Sequence, residues 1–194
     1  MLRFVLFIGL LALCTLVLAE PVVLKGNGWS TPQNGLQGRF TFMPGEPFAG
    51  TRLIQVYLEL HNTSNLGSPM YIKFDINAVK GTLTTAGGKA VSSYGSDASI
   101  IESGPTTIVL PYDSTIKLNV TAAGWGVPRN QLAQISLMHD NWVIKAGDTA
   151  DYYLAGTFQA GTPDAPKDAR HLWSGTLNIP RTRVDVLHVA DKKK

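Results

Sequence analysis

The stretch that decides the fold is AGDTADYYLAG, residues 146–156. It opens with Ala-Gly-Asp, in which glycine permits a tight turn and the Asp148 carboxylate can accept hydrogen bonds from backbone N–H groups. From Tyr152 the chain becomes aromatic and apolar, which predicts a strand over residues 152–158. Because successive side chains of a strand alternate between its faces, Asp151 and Tyr152 point in opposite directions. The stretch therefore predicts a turn followed by a central β-strand.

The same two-residue alternation recurs on both sides of this stretch. Residues 53–61 place aliphatic side chains on one face and polar ones on the other, which is typical of an antiparallel strand with one buried face. Residues 115–122 repeat the pattern. The other predicted strands are residues 38–43, 70–76, 79–84, 106–110, 135–138, 173–179 and 183–189. No window longer than ten residues has a helical period, so we expect an all-β, antiparallel β-sandwich of roughly eight to ten strands.

The 146–156 stretch resembles the tyrosine-corner segment of immunoglobulin variable domains. In that segment a tyrosine two residues before a disulfide cysteine bonds back to the chain. The resemblance implies that Tyr152 is the corner residue, with Asp148 in the turn before it, and that Leu154 takes the cysteine position. The rest of the pattern is absent, because the strand at 53–61 has no cysteine and no tryptophan follows it. An antibody-like receptor domain is therefore not expected.

Two further segments resemble bacterial secreted immunoglobulin-like sandwiches. They are LELHNTS at residues 58–64 and VIKAGDT at residues 143–149, each a strand end followed by a turn. Proteinase-inhibitor-like extracellular modules share these features. The resemblance implies an immunoglobulin-like arrangement of the sandwich and an extracellular setting, and it implies no particular activity.

Residues 1–19 have the layout of a secretory signal peptide. Arg3 supplies the positive charge, residues 4–18 form an almost purely apolar run, and Ala19 offers a cleavage site. The run is shorter than the ~20 apolar residues needed to span a bilayer. We therefore expect cleavage, secretion to the periplasm, cell envelope or exterior, and no transmembrane segment afterwards. An uncleaved anchor is the alternative.

Cys14 is the only cysteine of the chain. It does not indicate a lipoprotein, because Leu13 is bulky where lipidation signals carry a small residue. Residues 20–194 therefore have no disulfide, no thiolate metal ligand and no cysteine nucleophile. A domain of this length buries enough surface to fold without disulfides, and we expect a single domain over residues 20–190.

The charge of the chain does not favour a nucleic-acid partner. Its formal net charge is +3, and three of the positive charges lie in a basic tail at residues 191–194. The folded body is thus close to neutral, without the basic surface of a nucleic-acid-binding protein.

Catalytic and metal-binding patterns are missing from the sequence. His139, Asp140, Asp148 and Asp151 lie close together, but they lack the alternating oxygen ligands of a calcium loop. There is no Gly-x-Ser-x-Gly elbow, no His-Glu-x-x-His motif and no glycine-rich phosphate loop. We predict no catalytic residue, metal or cofactor, and a hydrolase is the remaining alternative.

Aromatic residues in predicted loops are the remaining candidates for ligand binding. Trp125 lies between two glycines, and Tyr112 and Tyr94 also fall in loops. Flat rings can stack on sugars, so a carbohydrate-binding module is one alternative; otherwise Trp125 closes one end of the core. A proteinase-inhibitor-like domain that exposes residues 85–105 is another. The sequence as a whole predicts a secreted, non-catalytic interaction module for an unidentified protein or glycan.

Overall fold

A computed structural model describes residues 28–48, 50–95, 104–122, 131–138 and 140–184. Within these ranges the chain forms twelve strands and a single short 3-10 turn at Ile76–Ala78, so the prediction of an all-β fold is confirmed. None of the described segments forms a helix long and apolar enough to cross a membrane. The strands are β1 (Leu36–Phe48), β2 (Thr51–Asn62), β3 (Met70–Phe74), β4 (Val79–Thr85), β5 (Tyr94–Gly95), β6 (Thr106–Leu110), β7 (Thr115–Asn119), β8 (Ala133–Leu137), β9 (Asp140–Ile144), β10 (Tyr152–Ala160), β11 (His171–Trp173) and β12 (Gly175–Val184).

The strands form three hydrogen-bonded sheets. Sheet A has the order β1-β2-β8-β9-β5, with β7 also paired to β2; sheet B has the order β11-β3-β6, and sheet C the order β12-β10-β4. Most pairs are antiparallel, but β2 with β8 and β3 with β11 are parallel. The expectation of purely antiparallel sheets is therefore wrong for these two pairs. Alternation within one strand carries no information on the direction of its neighbour, which long connections such as residues 161–170 determine.

A hydrophobic cluster takes side chains from all three sheets. The aliphatic face predicted for residues 53–61 is buried in it, with Ile54 at 2% exposure and the next three members of that face at 0%. The Phe158 ring of β10 stacks on Trp173 of β11, with centroids 5.9 Å apart and planes 7° apart. These contacts hold sheets B and C together from the inside, so that their other faces lie outward.

Gly156 is required where β10 pairs with β4 and packs against Phe40 of β1. A Cβ atom at this position would lie 2.1 Å from the Lys80 carbonyl oxygen and 2.9 Å from Cε2 of Phe40. Neither neighbour is a flexible chain end, so any side chain here would push the strands apart. The pairing register of β10 with β12 also shifts between Leu154 and Gly156.

Several strands differ from the sequence prediction, among them β5 (Tyr94–Gly95), which lies in the predicted loop at 85–105. The polar start of β9 reads as a loop, but it pairs along its whole length with β8. β12 runs unbroken through Pro180, where the sequence predicts a gap between two strands. Pro180 lies on an edge strand and at the register shift, where no ladder hydrogen bond needs its missing N–H. The additional strands β5, β9 and β11 bring the described total above the expected eight to ten, although β12 joins parts of two predicted strands.

Candidate binding surfaces

The predicted corner joins the turn before β10 to the strand itself. The Tyr152 hydroxyl donates a hydrogen bond to Oδ2 of Asp148, and Oδ1 of the same carboxylate accepts one from the Ala150 N–H at 2.9 Å. Tyr152 is 6% exposed and Leu154 is fully buried. Leu154 thus packs in the core at the position that the resemblance assigns to a cysteine.

The contact between Asp148 and Tyr152 shifts the pKa of both side chains. The hydrogen bond from Tyr152, followed by that from Ala150, lowers the pKa of the Asp148 carboxyl. Burial, followed by the hydrogen bond and the charge of Asp148, raises the pKa of Tyr152 to about 12. Both shifts favour the state in which a neutral tyrosine donates to a charged carboxylate. The pair therefore stabilises the fold across the neutral pH range.

The three loop aromatics do not meet in the described part of the chain. Tyr94 is 61% exposed and pairs with Asn141 at the β5 edge of sheet A. Tyr112 is half-buried in the turn between β6 and β7, and β7 pairs with β2. Three strand spacings, on the order of 14 Å, separate β5 from β2. Trp125 lies outside the described residues, as do residues 96–103 of the predicted loop at 85–105.

The acidic residues near residue 148 are engaged separately. Asp148 belongs to the corner, Asp151 accepts a hydrogen bond from Nη2 of Arg183 at 2.7 Å, and Asp140 begins β9. His139 lies outside the described residues. Among the residues that are described, no group of three His, Cys, Asp or Glu side chains is arranged to hold a metal ion.

One outward surface, which we name the ion-pair face, is formed by β1, β2 and β7 around Glu59. Nε and Nη2 of Arg39 both lie 2.7 Å from Oε2 of Glu59. The other carboxylate oxygen accepts a hydrogen bond from the Thr41 hydroxyl at 3.1 Å and lies 3.7 Å from Nζ of Lys117. The strand register places these residues opposite one another, since Glu59 pairs with Arg39 on one side and Lys117 on the other. One carboxylate thus holds two cations and a hydroxyl.

The aromatic rings of the ion-pair face are covered by its own cations. The Arg39 guanidinium lies 4.6 Å from the centre of the Trp29 ring, and Nζ of Lys117 lies 4.5 Å from that of Tyr57. The buried His61 ring meets Trp29 edge-on at 5.8 Å. The Trp29 and Tyr57 rings each already have a cationic partner. The polar and aromatic groups of this face are therefore bound to one another.

The outer face of sheet B has the opposite character. Leu172 of β11, Tyr71 of β3 and Val109 of β6 lie side by side in register across the three strands, and we name them the Tyr71 row. Leu172 is 43% exposed, Val109 is 52% exposed and Tyr71 is half-buried. Leu66, in the loop that leads into β3, is 61% exposed. Apolar side chains are thus grouped on the surface.

A surface cavity of about 220 Å³ opens at one end of the Tyr71 row. It lies between the loops that precede β3 and β11. Its lining residues are Gly67, Ser68, Pro69, Tyr71, Asp168, Ala169 and Arg170. The hydroxyl of Ser68 is buried without a hydrogen-bond partner, which is unusual for a buried polar group in a native protein. The cavity therefore combines an aromatic ring and both charge signs, and a buried hydroxyl without a partner lies beside it.

Beside this cavity, His171 begins β11 as a buried side chain. It is 8% exposed, and its Nδ1 atom has no hydrogen-bond partner. Burial lowers the pKa of His171, against the smaller opposite effect of its hydrogen bond with the Asn34 backbone. The ring is therefore neutral at pH 7, and the polar character of the cavity comes from its other residues.

Sequence reasoning missed the Tyr71 row because its members come from three separate segments. Alternation in residues 70–76 does place Tyr71 on the polar side of its strand. The neighbouring positions of Leu172 and Val109 depend on a parallel pair and an antiparallel pair that no local pattern specifies.

Comparison of the chain with protein-family models, with curated proteins and with solved structures finds no match.

Proposed function

We propose that this chain is a secreted, non-catalytic interaction module that binds a partner protein through the Tyr71 row and the adjoining cavity. The observation that carries the proposal is the grouping of exposed apolar side chains. Five large hydrophobic residues are notably exposed in the described ranges, and Leu66, Val109 and Leu172 are three of them. Grouped exposed apolar surface on a globular protein is characteristic of an interaction site, whereas single exposed residues are ordinary.

The composition of the surface favours a protein partner with an apolar anchor. Tyrosine and arginine, here Tyr71 and Arg170, are the residue types that most often dominate binding energy at protein interfaces. The cavity is smaller than the roughly 300–1,000 Å³ of pockets for drug-sized ligands, a size suited to one side chain. Asp168 and Arg170 both line it, so its wall carries one charge of each sign. The complementary partner presents an apolar side chain flanked by charges of both signs.

The non-catalytic part of the proposal rests on how the acidic groups are used. Glu59 holds two cations, Asp148 holds the corner and Asp151 binds Arg183. General acid–base catalysis needs a group that faces a substrate position with a suitable pKa. These carboxylates are instead committed to contacts that stabilise the fold.

The immunoglobulin-like arrangement and the location outside the cytoplasm belong to the same proposal. The Asp148–Tyr152 bond and the buried Leu154 support the first. The signal-like residues 1–19 and the lack of cysteine after them support the second. N-terminal sequencing of the protein recovered from the native envelope or medium should begin at Glu20. Recovery of the whole chain from the cytoplasm would contradict this location.

The contact surface is tested with one substitution on each of two faces. Leu172→Glu places a charge in the Tyr71 row, and Met43→Glu is the matched control, because Met43 is 45% exposed and lies beside Lys117 on the ion-pair face. A partner recovered with the wild-type protein is produced separately and titrated by calorimetry against all three proteins.

We expect Leu172→Glu to weaken binding by about 2 kcal/mol or more, the loss typical of a central interface residue, and Met43→Glu to bind like the wild type. Equal affinities for all three proteins, or a loss only in Met43→Glu, would overturn the assignment. Self-association of the wild type through this row, with no other protein bound, would also overturn it.

A further inference from the structure

The outer face of sheet C, which we name the cationic face, carries positive charge without acidic residues of its own. Strands β4, β10 and β12 contain Lys80, Arg181 and Arg183 and no aspartate or glutamate. All three cations are exposed. The adjacent Asp151 binds Arg183, and no carboxylate within the described ranges forms an ion pair with either of the other two cations. This distribution differs from that of the ion-pair face, where a carboxylate lies between the cations.

Arg181 is held in place by groups that do not neutralise it. Its Nη2 atom donates to the carbonyl oxygens of Thr85 and Ala86, the latter at 3.0 Å, and Nε lies 3.2 Å from the Thr84 hydroxyl. Its guanidinium lies 4.0 Å from the centre of the Tyr153 ring. A cation fixed in this way loses little rotational freedom when an anion binds, which favours affinity. Arg181 is thus a cation held in a fixed position on the outer face of sheet C.

The surface between the cations is lined with short hydroxyl and amide side chains. These outward residues are Thr82, Thr84, Thr157, Gln159, Thr176 and Asn178. The register places Lys80 opposite Thr157, and the Arg181 guanidinium contacts Thr84, four residues beyond Lys80 along β4. These two cations are therefore about 13 Å apart along the strand. A ligand that contacts both must be extended, with anionic groups separated by polar ones.

We infer that the cationic face binds a linear acidic polysaccharide, with carboxylates at Arg181 and Lys80 and sugar hydroxyls along the threonine and amide side chains between them. A lipid membrane fits less well, because none of the notably exposed large hydrophobic residues of the described chain lies on sheet C. The cationic face lies on a different sheet from the Tyr71 row. Binding at one surface therefore does not depend on binding at the other.

The experiment uses the full chain and two polymers of similar length, polygalacturonate and neutral dextran. Affinity electrophoresis measures how far each polymer retards the protein. We expect polygalacturonate to retard the protein, and this retardation should weaken as salt is added because exposed charges are screened. Dextran should not retard the protein. A double-stranded DNA of matched charge tests whether any polyanion suffices.

The variant pair is matched in charge. Lys80→Gln with Arg181→Gln removes two cations from the face, and Lys117→Gln with Lys167→Gln removes two from elsewhere. Lys117 lies on the ion-pair face, and Lys167 is an exposed residue of the connection between β10 and β11. We expect the first pair to weaken polygalacturonate binding about tenfold and the second to leave it within about twofold. Lys80→Gln alone, at an exposed side chain, should weaken binding about threefold and guards against misfolding caused by the loss of Arg181. Equal losses in both pairs, equal binding of DNA, or no retardation of the wild type would overturn the inference.

Discussion

The ion-pair face and the Tyr71 row are both outward surfaces built across three neighbouring strands, yet they use their side chains in opposite ways. On the ion-pair face, Glu59 is surrounded by Arg39, Thr41 and Lys117, and the cations cover the aromatic rings. On the Tyr71 row, apolar side chains face solvent beside a cavity lined by an aromatic ring and both charge signs. A surface whose groups satisfy one another contributes to the stability of the chain itself. A surface that leaves apolar side chains exposed gains more free energy when another molecule covers it.

The largest loss of stability is expected from Glu59→Ala, on the ion-pair face. The substitution leaves Arg39, Thr41 and Lys117 without their shared acceptor, and Glu59 is only 12% exposed at its side chain. Removing one partner of a buried ion pair costs about 3–5 kcal/mol, and partial exposure of the cations reduces this to about 2 kcal/mol. Urea denaturation monitored by tryptophan fluorescence measures the change. A loss below about 0.5 kcal/mol would show that the network does not stabilise the fold.

The next largest loss of stability is expected from Tyr152→Phe. This variant measures the contribution of one charge-assisted hydrogen bond that belongs to neither face. The variant keeps the ring in the core and removes only the hydroxyl that donates to Asp148. A hydrogen bond to a charged group contributes about 1.5 kcal/mol or somewhat more. The loss should appear in urea denaturation at pH 7. Asp148→Asn, which keeps an acceptor oxygen without the charge, should lose less than Tyr152→Phe.

The stability that this hydrogen bond contributes should fall at both acid and alkaline pH. Since the folded-state pKa of Asp148 is lowered, its contribution is present above the unfolded pKa near 3.8 and is lost as the pH falls through the folded value. Since the pKa of Tyr152 is raised to about 12, its contribution is present below the unfolded pKa of 10 and is lost as the pH rises towards 12. The stability difference between wild type and Tyr152→Phe should therefore shrink at both extremes. A constant difference from acid to alkaline pH would contradict the assigned hydrogen bond.

The smallest change in stability is expected from Val109→Thr, in the Tyr71 row. The substitution keeps the β-branched shape that suits a strand and changes a side chain that is 52% exposed. We expect a change in unfolding free energy within about 0.5 kcal/mol by the same denaturation assay. A loss comparable to that of Glu59→Ala would mean that the Tyr71 row is part of the core, and the contrast between the faces would fail.

The two faces also differ in how far sequence predicts them. Alternation in residues 53–61 correctly places Glu59 on the outward side and Leu58 in the core, because one strand's pattern is enough to assign its faces. The Asp148–Tyr152 contact is likewise local, spanning four residues. The strand directions and registers are not local. They bring Tyr71 beside Leu172 through a parallel pair, and they place Lys80 and Arg183 on one sheet although a hundred residues separate them in the chain.

A photo-crosslinking amino acid placed at Val109 in the native host tests most directly whether the Tyr71 row is the contact surface. The matched position is Met43, on the ion-pair face, which is exposed to a similar degree: 45% against 52% for Val109. We predict a discrete crosslink from Val109 to a different polypeptide, lost when Leu172→Glu is added, and no such product from Met43. The same products from both positions, no product from Val109, or a crosslink only to a second copy of this chain would contradict the account.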